Sequence, residues 1–240
     1  MTRRLSVVWP DARPFAGRDG VPIRLLAVSD DVDRALDHEV NRSALGRIDG
    51  IVGCGDLEPD YLGFLADAFN VPVAFVRGNH DRGGQWQHAV HHAPRPLPSG
   101  RLTEIGGVTV APFEWPGIDS GSAALRSESR AWIHVLRAAK ALAIRRLRGG
   151  SGPVLVLSHA PPRGVGDTTA DPYHLGYGAY RWLLDRLRPP LWLHGHVTIA
   201  SIRDWRDACG PTTVVNVTGA VLVELLPPPV AVASTASSSG

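Results

Sequence analysis

The chain has 240 residues, 44% of them hydrophobic, and a formal net charge of +2. A chain of that size can bury a sizeable core and fits a single α/β domain, which excludes a disordered protein and a concentrated nucleic-acid-binding stripe. Two cysteines, Cys54 and Cys209, make no disulfide framework. The first twenty residues place Pro10, Asp11, Pro14 and Asp19 among the apolar positions and fail as a signal peptide, and no apolar run is long enough to span a bilayer, so the reading is a cytoplasmic protein without a membrane partner.

Residues 1–21 hold one short apolar run, Leu5 to Trp9, and a connection rich in Pro, Gly and Arg; they are an N-terminal extension or an edge strand. Ile23–Val28 reads as the first strand and runs into Ser29-Asp30-Asp31-Val32-Asp33. Three carboxylates in four residues repel one another without a counter-charge. A bound cation and an exposed acidic turn that opens a helix account for them equally well. The run from Asp49 to Gly55 repeats the pattern of apolar strand, small residues and an acid, here Asp56. Pro59 stands in the first turn of a helix whose Leu62, Leu65, Ala66 and Phe69 share one face. The third strand, from Val71 to Val76, leads to Gly78-Asn79-His80-Asp81. An amide, an imidazole and a carboxylate at the mouth of a buried strand are costly unless something binds there. The βαβαβ series that results places ligands at the carboxyl ends of its strands.

Residues 82–101, with His88, His91 and His92, read as a surface loop. Leu102–Ile105 and Val108–Ala111 flank Gly106-Gly107 as a hairpin. Residues 112–126 read as another loop, in which Trp115 lines a cleft or caps the core. Ser127 caps a helix that runs to Leu147, with Glu128 in its first turn and Arg145 and Arg146 in its last. Pro153–Leu157 is a strand that delivers Ser158-His159. A helix over 176–188 stops at Pro189-Pro190, and Leu191–Leu193 ends in His194-Gly195-His196. Thr212–Val217 and Ala220–Leu226 read as a hairpin that completes a sheet. Residues 228–240 are a poor core former and read as a disordered tail, which leaves 22–227 as the domain.

Five strand ends thus deliver Asp30, Asp56, Asn79 with His80, His159, and His196. Any one of them alone is an ordinary structural polar residue. As a set rich in oxygen and imidazole they suit Mn²⁺, Fe or Zn²⁺ better than Ca²⁺.

The ordered series Gly55-Asp56, Gly78-Asn79-His80-Asp81, Ser158-His159 and Gly195-His196 resembles the calcineurin-like metallophosphoesterase superfamily, over about Ile23 to Leu226. The resemblance implies a four-layer α/β/β/α sandwich, two mixed sheets flanked by helices, with two divalent metal ions at the strand ends. It implies hydrolysis of a phosphate mono- or diester by a metal-activated water. By position, Asp56 would bridge both metals, Asn79, His159 and His196 would complete the second site, and Asp30 would belong to the first. His80 would contact the phosphate and stabilise or protonate the leaving oxygen, with Asp81 orienting its ring.

The first site departs from the family pattern. Where the family has Asp-x-His this chain has Asp30-Asp31-Val32, and where it has Gly-His-x-His this chain has Gly195-His196-Val197-Thr198. Asp33, on an Asp-x-x-Asp spacing, is the hypothesis for a replacement ligand. A first site made only of oxygen prefers Mn²⁺ or Mg²⁺ over Zn²⁺, so Mn²⁺ is the expected metal, with a single bound ion as the other outcome. Arg82 and Arg163 neighbour the motifs, either to hold a substrate phosphate or as surface arginines. The expected partner is a phosphorylated small molecule or nucleotide-like substrate, and nucleic acid is not favoured. Val32 and Thr198 also support a second reading, a catalytically weakened or inactive interaction module on the same fold.

Overall fold

The computed structural model describes residues 2–81, 86, 94–120, 123–167 and 171–229. In chain order the first half comprises β1 (Arg3–Val8), β2 (Ile23–Ser29), α1 (Glu39–Leu45), β3 (Gly50–Gly53), α2 (Pro59–Phe69), β4 (Val73–Phe75), β5 (Thr103–Ile105) and β6 (Val108–Phe113). The second half comprises β7 (Gly117–Ser120), β8 (Ala123–Arg126), α3 (Glu128–Leu147), β9 (Leu155–Ser158), α4 (Gly178–Leu187), β10 (Leu191–His194), β11 (Arg206–Cys209), β12 (Thr212–Asn216) and β13 (Gly219–Leu226).

The strands sort into two mixed sheets, ordered β1-β13-β2-β3-β4 and β11-β12-β10-β9-β6-β5, beside the small β7-β8 ribbon. In the first sheet β2, β3 and β4 are parallel and β13 runs against β2. In the second, β6, β9, β10 and β12 are parallel, with antiparallel edges at β5 and β11. Parallel strands covered on both faces read as continuous apolar runs, as β2, β9 and β10 do. Leu25, Ala27, Val52, Leu155, Leu157, Leu191, Leu193 and Val223 fill the space between the sheets. The outer face of the first sheet packs on α1 and α2 through Leu26, Ile51, Leu45 and Leu62; that of the second packs on α3 and α4 through Val156, Trp192, Val135 and Leu183. The result is the expected α/β/β/α sandwich.

The details differ from the sequence reading in three places. The two closing strands do not form a hairpin: β12 joins the second sheet beside β10, and β13 joins the first between β1 and β2. Asn216 forces the crossing, since its Nδ2 donates to the Val197 carbonyl at 2.6 Å and its Oδ1 accepts the Thr218 amide at 2.9 Å. Residues 112–126 are no simple loop, because β7 and β8 pair there antiparallel. Edge strand β11, mostly exposed, carries too few apolar residues to read as a strand. The glycine pair at 106–107 makes the expected hairpin turn, both residues holding positive φ (57° and 81°) between β5 and β6.

Candidate metal centre

The carboxyl ends of β2, β3, β4, β9 and β10 meet along one edge of the sandwich, and the residues just past them form a polar cluster. Ligand atoms of Asp30, Asp56 and His159 all lie within 4.8 Å of one another. Asn79 joins them, its Oδ1 2.8 Å from His159 Nε2, and His159 Nε2 stands 3.3 Å from Asp56 Oδ2. The rings of His159 and His196 are 5.1 Å apart. The backbone is bent to make this possible: Asp30, Asp56 and His196 all hold positive φ (57°, 54° and 66°), a conformation that L residues keep only where surrounding contacts impose it. Two glycines let the turns close. A Cβ on Gly78 would overlap the Asp56 carboxylate, and one on Gly195 would overlap Asp30 and Ser29.

Hydrogen bonds fix the orientation of each group. His159 is fully buried, and its Nδ1 donates to the Cys54 carbonyl at 2.6 Å, which turns Nε2 towards Asp56 and Asn79. The Nε2 of His196 lies 3.2 Å from the Tyr173 carbonyl, which puts the proton on Nε2 and the lone pair on Nδ1. Imidazoles that ligate metals characteristically spend the other nitrogen on a carbonyl in this manner. Trp115, buried, forms the floor beneath both rings, 4.6 Å from His196 and 5.8 Å from His159. Both oxygens of Asp30 accept from the His196 amide at 3.0–3.1 Å, and Thr218 Oγ1 donates to one of them at 3.3 Å. Asp56 Oδ1 accepts the His80 amide at 2.8 Å, while the His80 residue itself is exposed at the mouth.

Asp81 is buried. Its Oδ2 accepts the amides of Asp56 and Gly78, both at 2.7 Å, and its Oδ1 accepts Trp86 Nε1 at 3.2 Å. It therefore ties the end of β3 to the end of β4.

The charges respond to one another. Burial alone works against ionising Asp56, but the charge and hydrogen bond of His159, with the His80 amide, hold its carboxyl at about 2. Burial likewise opposes a charged His159, and the carboxylates of Asp56 and Asp30 outweigh it, so the imidazole titrates at about 9. His196 is pushed down to about 3 by burial and by the neighbouring His159 charge, and stays neutral as a ligand must. Burial pushes the Asp30 carboxyl up. The protonated His159 holds together carboxylates that a divalent cation would otherwise neutralise.

The ligand atoms of Asp30, Asp56 and His159 lie close enough to share one such ion, with the Asn79 amide oxygen and the His196 ring beside them. Where the family pattern has two further histidines, this chain has Val32 and Thr198. Val32 packs against the apolar cluster of Leu36 and Leu45, and Thr198 is exposed at the start of a 3-10 turn. Asp33 stands outside the cluster: its Oδ1 caps the following turn at the Ala35 amide (3.0 Å), and its Oδ2 accepts from Thr2 Oγ1 (3.4 Å). The idea that Asp33 replaces the missing histidine gains no support from this geometry. Arg163 lies on the surface with its Nε on the Gly176 carbonyl at 2.8 Å. Arg82 and the loop histidines His88, His91 and His92 lie outside the described residues.

Sequence reading missed Tyr173, which lies across the cluster with its hydroxyl oxygen accepting Asn79 Nδ2–H at 2.7 Å. Only its place in a loop between two motifs, within Pro172-Tyr173-His174, hinted at it.

Two mixed sheets that gather carboxylates, an amide and imidazoles at their strand ends define a metal-binding α/β sandwich. The sequence model of calcineurin-like phosphoesterases matches residues 40–199, and the chain belongs to that metal-dependent family. The match takes in Asp56, Asn79, His80, His159 and His196 and begins beyond the departure at Val32. Among solved structures, TT1561 of Thermus thermophilus aligns with 83% of this chain and 90% of its own at 17% identity and a TM-score of 0.55. A second crystal structure aligns over 85% and 95% of the two chains at 15% identity and a TM-score of 0.59. Both likenesses show the fold. No curated protein sequence matches the chain. Among the described residues no helix is long and apolar enough to cross a membrane.

Proposed function

We propose that the chain hydrolyses a phosphate ester, mono- or diester, of a small or nucleotide-like molecule, using divalent metal at the Asp56, Asn79, His159 and His196 cluster, with Mn²⁺ the expected ion. A second ion, without the family's two further histidines at Val32 and Thr198, binds more weakly. The observation that carries this reading is the pair of locked imidazoles, each with one nitrogen on a backbone carbonyl, His159 turning its Nε2 onto Asp56 and Asn79. Metal bound there supplies Lewis acidity and lowers the pKa of a coordinated water from about 15.7 towards roughly 7. The chain's own groups do the rest. Asp56 and Asp30 set the charge of the site, while Asn79, His159 and His196 fix its geometry. His80, exposed at the mouth with its amide on Asp56, stands where it can reach a substrate phosphate and donate a proton to the leaving oxygen. Asp81 braces the turn that carries His80.

A second reading is a weakened or non-catalytic module on the same fold, favoured by Val32, whose side chain is packed away from the site. Hydrolysis of p-nitrophenyl phosphate and bis(p-nitrophenyl) phosphate with and without Mn²⁺, in wild type and His80→Ala, separates the two. Mn²⁺-dependent turnover that falls roughly 10²- to 10⁴-fold in the variant supports the hydrolase. Wild-type turnover equal to that of His80→Ala supports the module.

A further inference from the structure

The segment from Asp171 to Gly176 crosses the cluster and is held at its far end by three side chains. The Asp167 carboxylate accepts the Gly176 amide at 2.9 Å, and Arg163 Nε and Arg126 Nη2 donate to the Gly176 carbonyl at 2.8 and 2.6 Å. Arg126 also donates to the Leu175 carbonyl and lies 4.2 Å over the Tyr177 ring. At the near end Asp171 accepts the Tyr173 amide at 2.9 Å and pairs with the His174 ring. The backbone of Tyr173 is thus fixed from both sides.

Tyr173 itself is 46% exposed, and its ring lies 5.3 Å from that of His196. Two polar contacts tie it to the cluster as well. Its carbonyl faces His196 Nε2 and its hydroxyl oxygen accepts from Asn79 Nδ2. Asn79 is buried, and with Nδ2 on the phenol its Oδ1 is the atom turned to His159 and the cluster. Once a bound ion has displaced the His159 proton that now faces the Asn79 oxygen, the phenol would be the contact that keeps this amide from turning about its last torsion and presenting nitrogen, which is no metal ligand.

We propose that Tyr173 is a positioning residue of the metal centre: its carbonyl selects the His196 tautomer that leaves Nδ1 free, and its hydroxyl aims the Asn79 oxygen at the ion. Residues in such an outer layer change metal affinity by about 10- to 100-fold when removed. Arg126, Arg163 and Asp167 act one step further out, by holding the segment. Arg163, read from sequence as a substrate contact or a surface arginine, spends its Nε on the Gly176 carbonyl.

The inference rests on the proposed metal site, and one experiment separates the two. Mn²⁺ is titrated calorimetrically into chelator-stripped wild type, Tyr173→Phe, Asn79→Ala and the double variant, and the thermal unfolding of each metal-free protein is recorded. Tyr173→Phe keeps the ring and the carbonyl and removes only the hydroxyl. The expected results are a Kd for Mn²⁺ raised about 10-fold in Tyr173→Phe, an unchanged metal-free Tm, and less than about a 2-fold further change when Tyr173→Phe is added to Asn79→Ala. A Kd within about 2-fold of wild type overturns the positioning role, as does an equal loss in the Asn79→Ala background, which would mean that the hydroxyl does not act through Asn79. Failure of the wild type to bind Mn²⁺ overturns the metal site and the positioning role together.

Discussion

The Nδ1 of His159 lies 2.6 Å from the carbonyl oxygen of Cys54, a contact that carries the β3 strand end into the geometry of a ring on β9's end. Because Nδ1 must carry the proton, Nε2 is the nitrogen that a cation and a proton compete for. With the carboxylates of Asp56 and Asp30 outweighing the effect of burial, that proton is held up to about 9, against 6.5 for a free imidazole. Metal binding should therefore release a proton from His159 at pH values below about 9, and Mn²⁺ affinity should rise with pH up to that value. In the metal-free protein the raised value contributes stability that is fully present below pH 6.5 and is lost as pH rises through about 9, on the order of 3 kcal/mol. Calorimetry in buffers of different ionisation enthalpy counts the proton. Metal affinity independent of pH over this range would contradict the assignment.

His194, two residues before His196 and fully buried, responds in the opposite direction. Burial pushes its imidazole down to about 4, with Nδ1 3.0 Å from the Gly195 carbonyl and Nε2 without a hydrogen-bond partner among the described residues. A depressed folded value means that the unfolded chain takes up the proton first. The stability due to a neutral His194 is present above pH 6.5 and is lost as pH falls through about 4, by roughly 3 kcal/mol. His194→Leu should flatten this part of the acid limb in urea denaturation measured at intervals from about pH 7 to 4. An acid limb as steep in the variant as in wild type would assign the loss to other groups.

The strand ends were legible in the sequence because each is an apolar run followed closely by small and polar residues, as at Val71 to Asn79 and Leu191 to His196. What was hidden depends on partners far away in the chain. The separation of β12 from β13 is set by the bonds of Asn216 to Val197 and Thr218 rather than by either strand's pattern, and two apolar runs split by a Gly look like a hairpin. Asp33 illustrates the converse: its spacing from Asp30 suits a ligand pair, yet the left-handed turn at Asp30 and the cap at Ala35 carry the two carboxylates to different neighbours. Tyr173 left no periodic signal because it lies in a loop whose course is fixed by Arg126, Arg163 and Asp167.

Gly195→Ala should damage the site out of proportion to its size. The added methyl group overlaps the Asp30 carboxylate and Ser29 Oγ within the turn that aims His196. Overpacking of this kind costs about 1–3 kcal/mol, and Mn²⁺ retention should fall with it. Chemical denaturation and metal retention, measured side by side, check this. A variant with wild-type values for both would show that the turn has room to relax.

Asp81→Ala should leave the amides of Asp56 and Gly78 without their acceptor inside the protein. Buried donors stripped of a partner cost about 1–3 kcal/mol each, so a loss of several kcal/mol is expected in denaturant unfolding, together with weaker metal binding. A variant that loses turnover while keeping full stability would move Asp81 from bracing the turn to the chemistry itself.

Metal content per chain tests the metal site most directly. The protein is stripped with chelator, reloaded with excess Mn²⁺, freed of unbound ion by gel filtration and analysed for manganese per chain, alongside Asn79→Ala and His159→Ala. We predict close to one equivalent retained by the wild type, a second seen only while excess Mn²⁺ is present, and little retained by either variant. No retained manganese in the wild type, or equal retention in all three proteins, would contradict the assignment of Asp56, Asn79, His159 and His196 as a metal site.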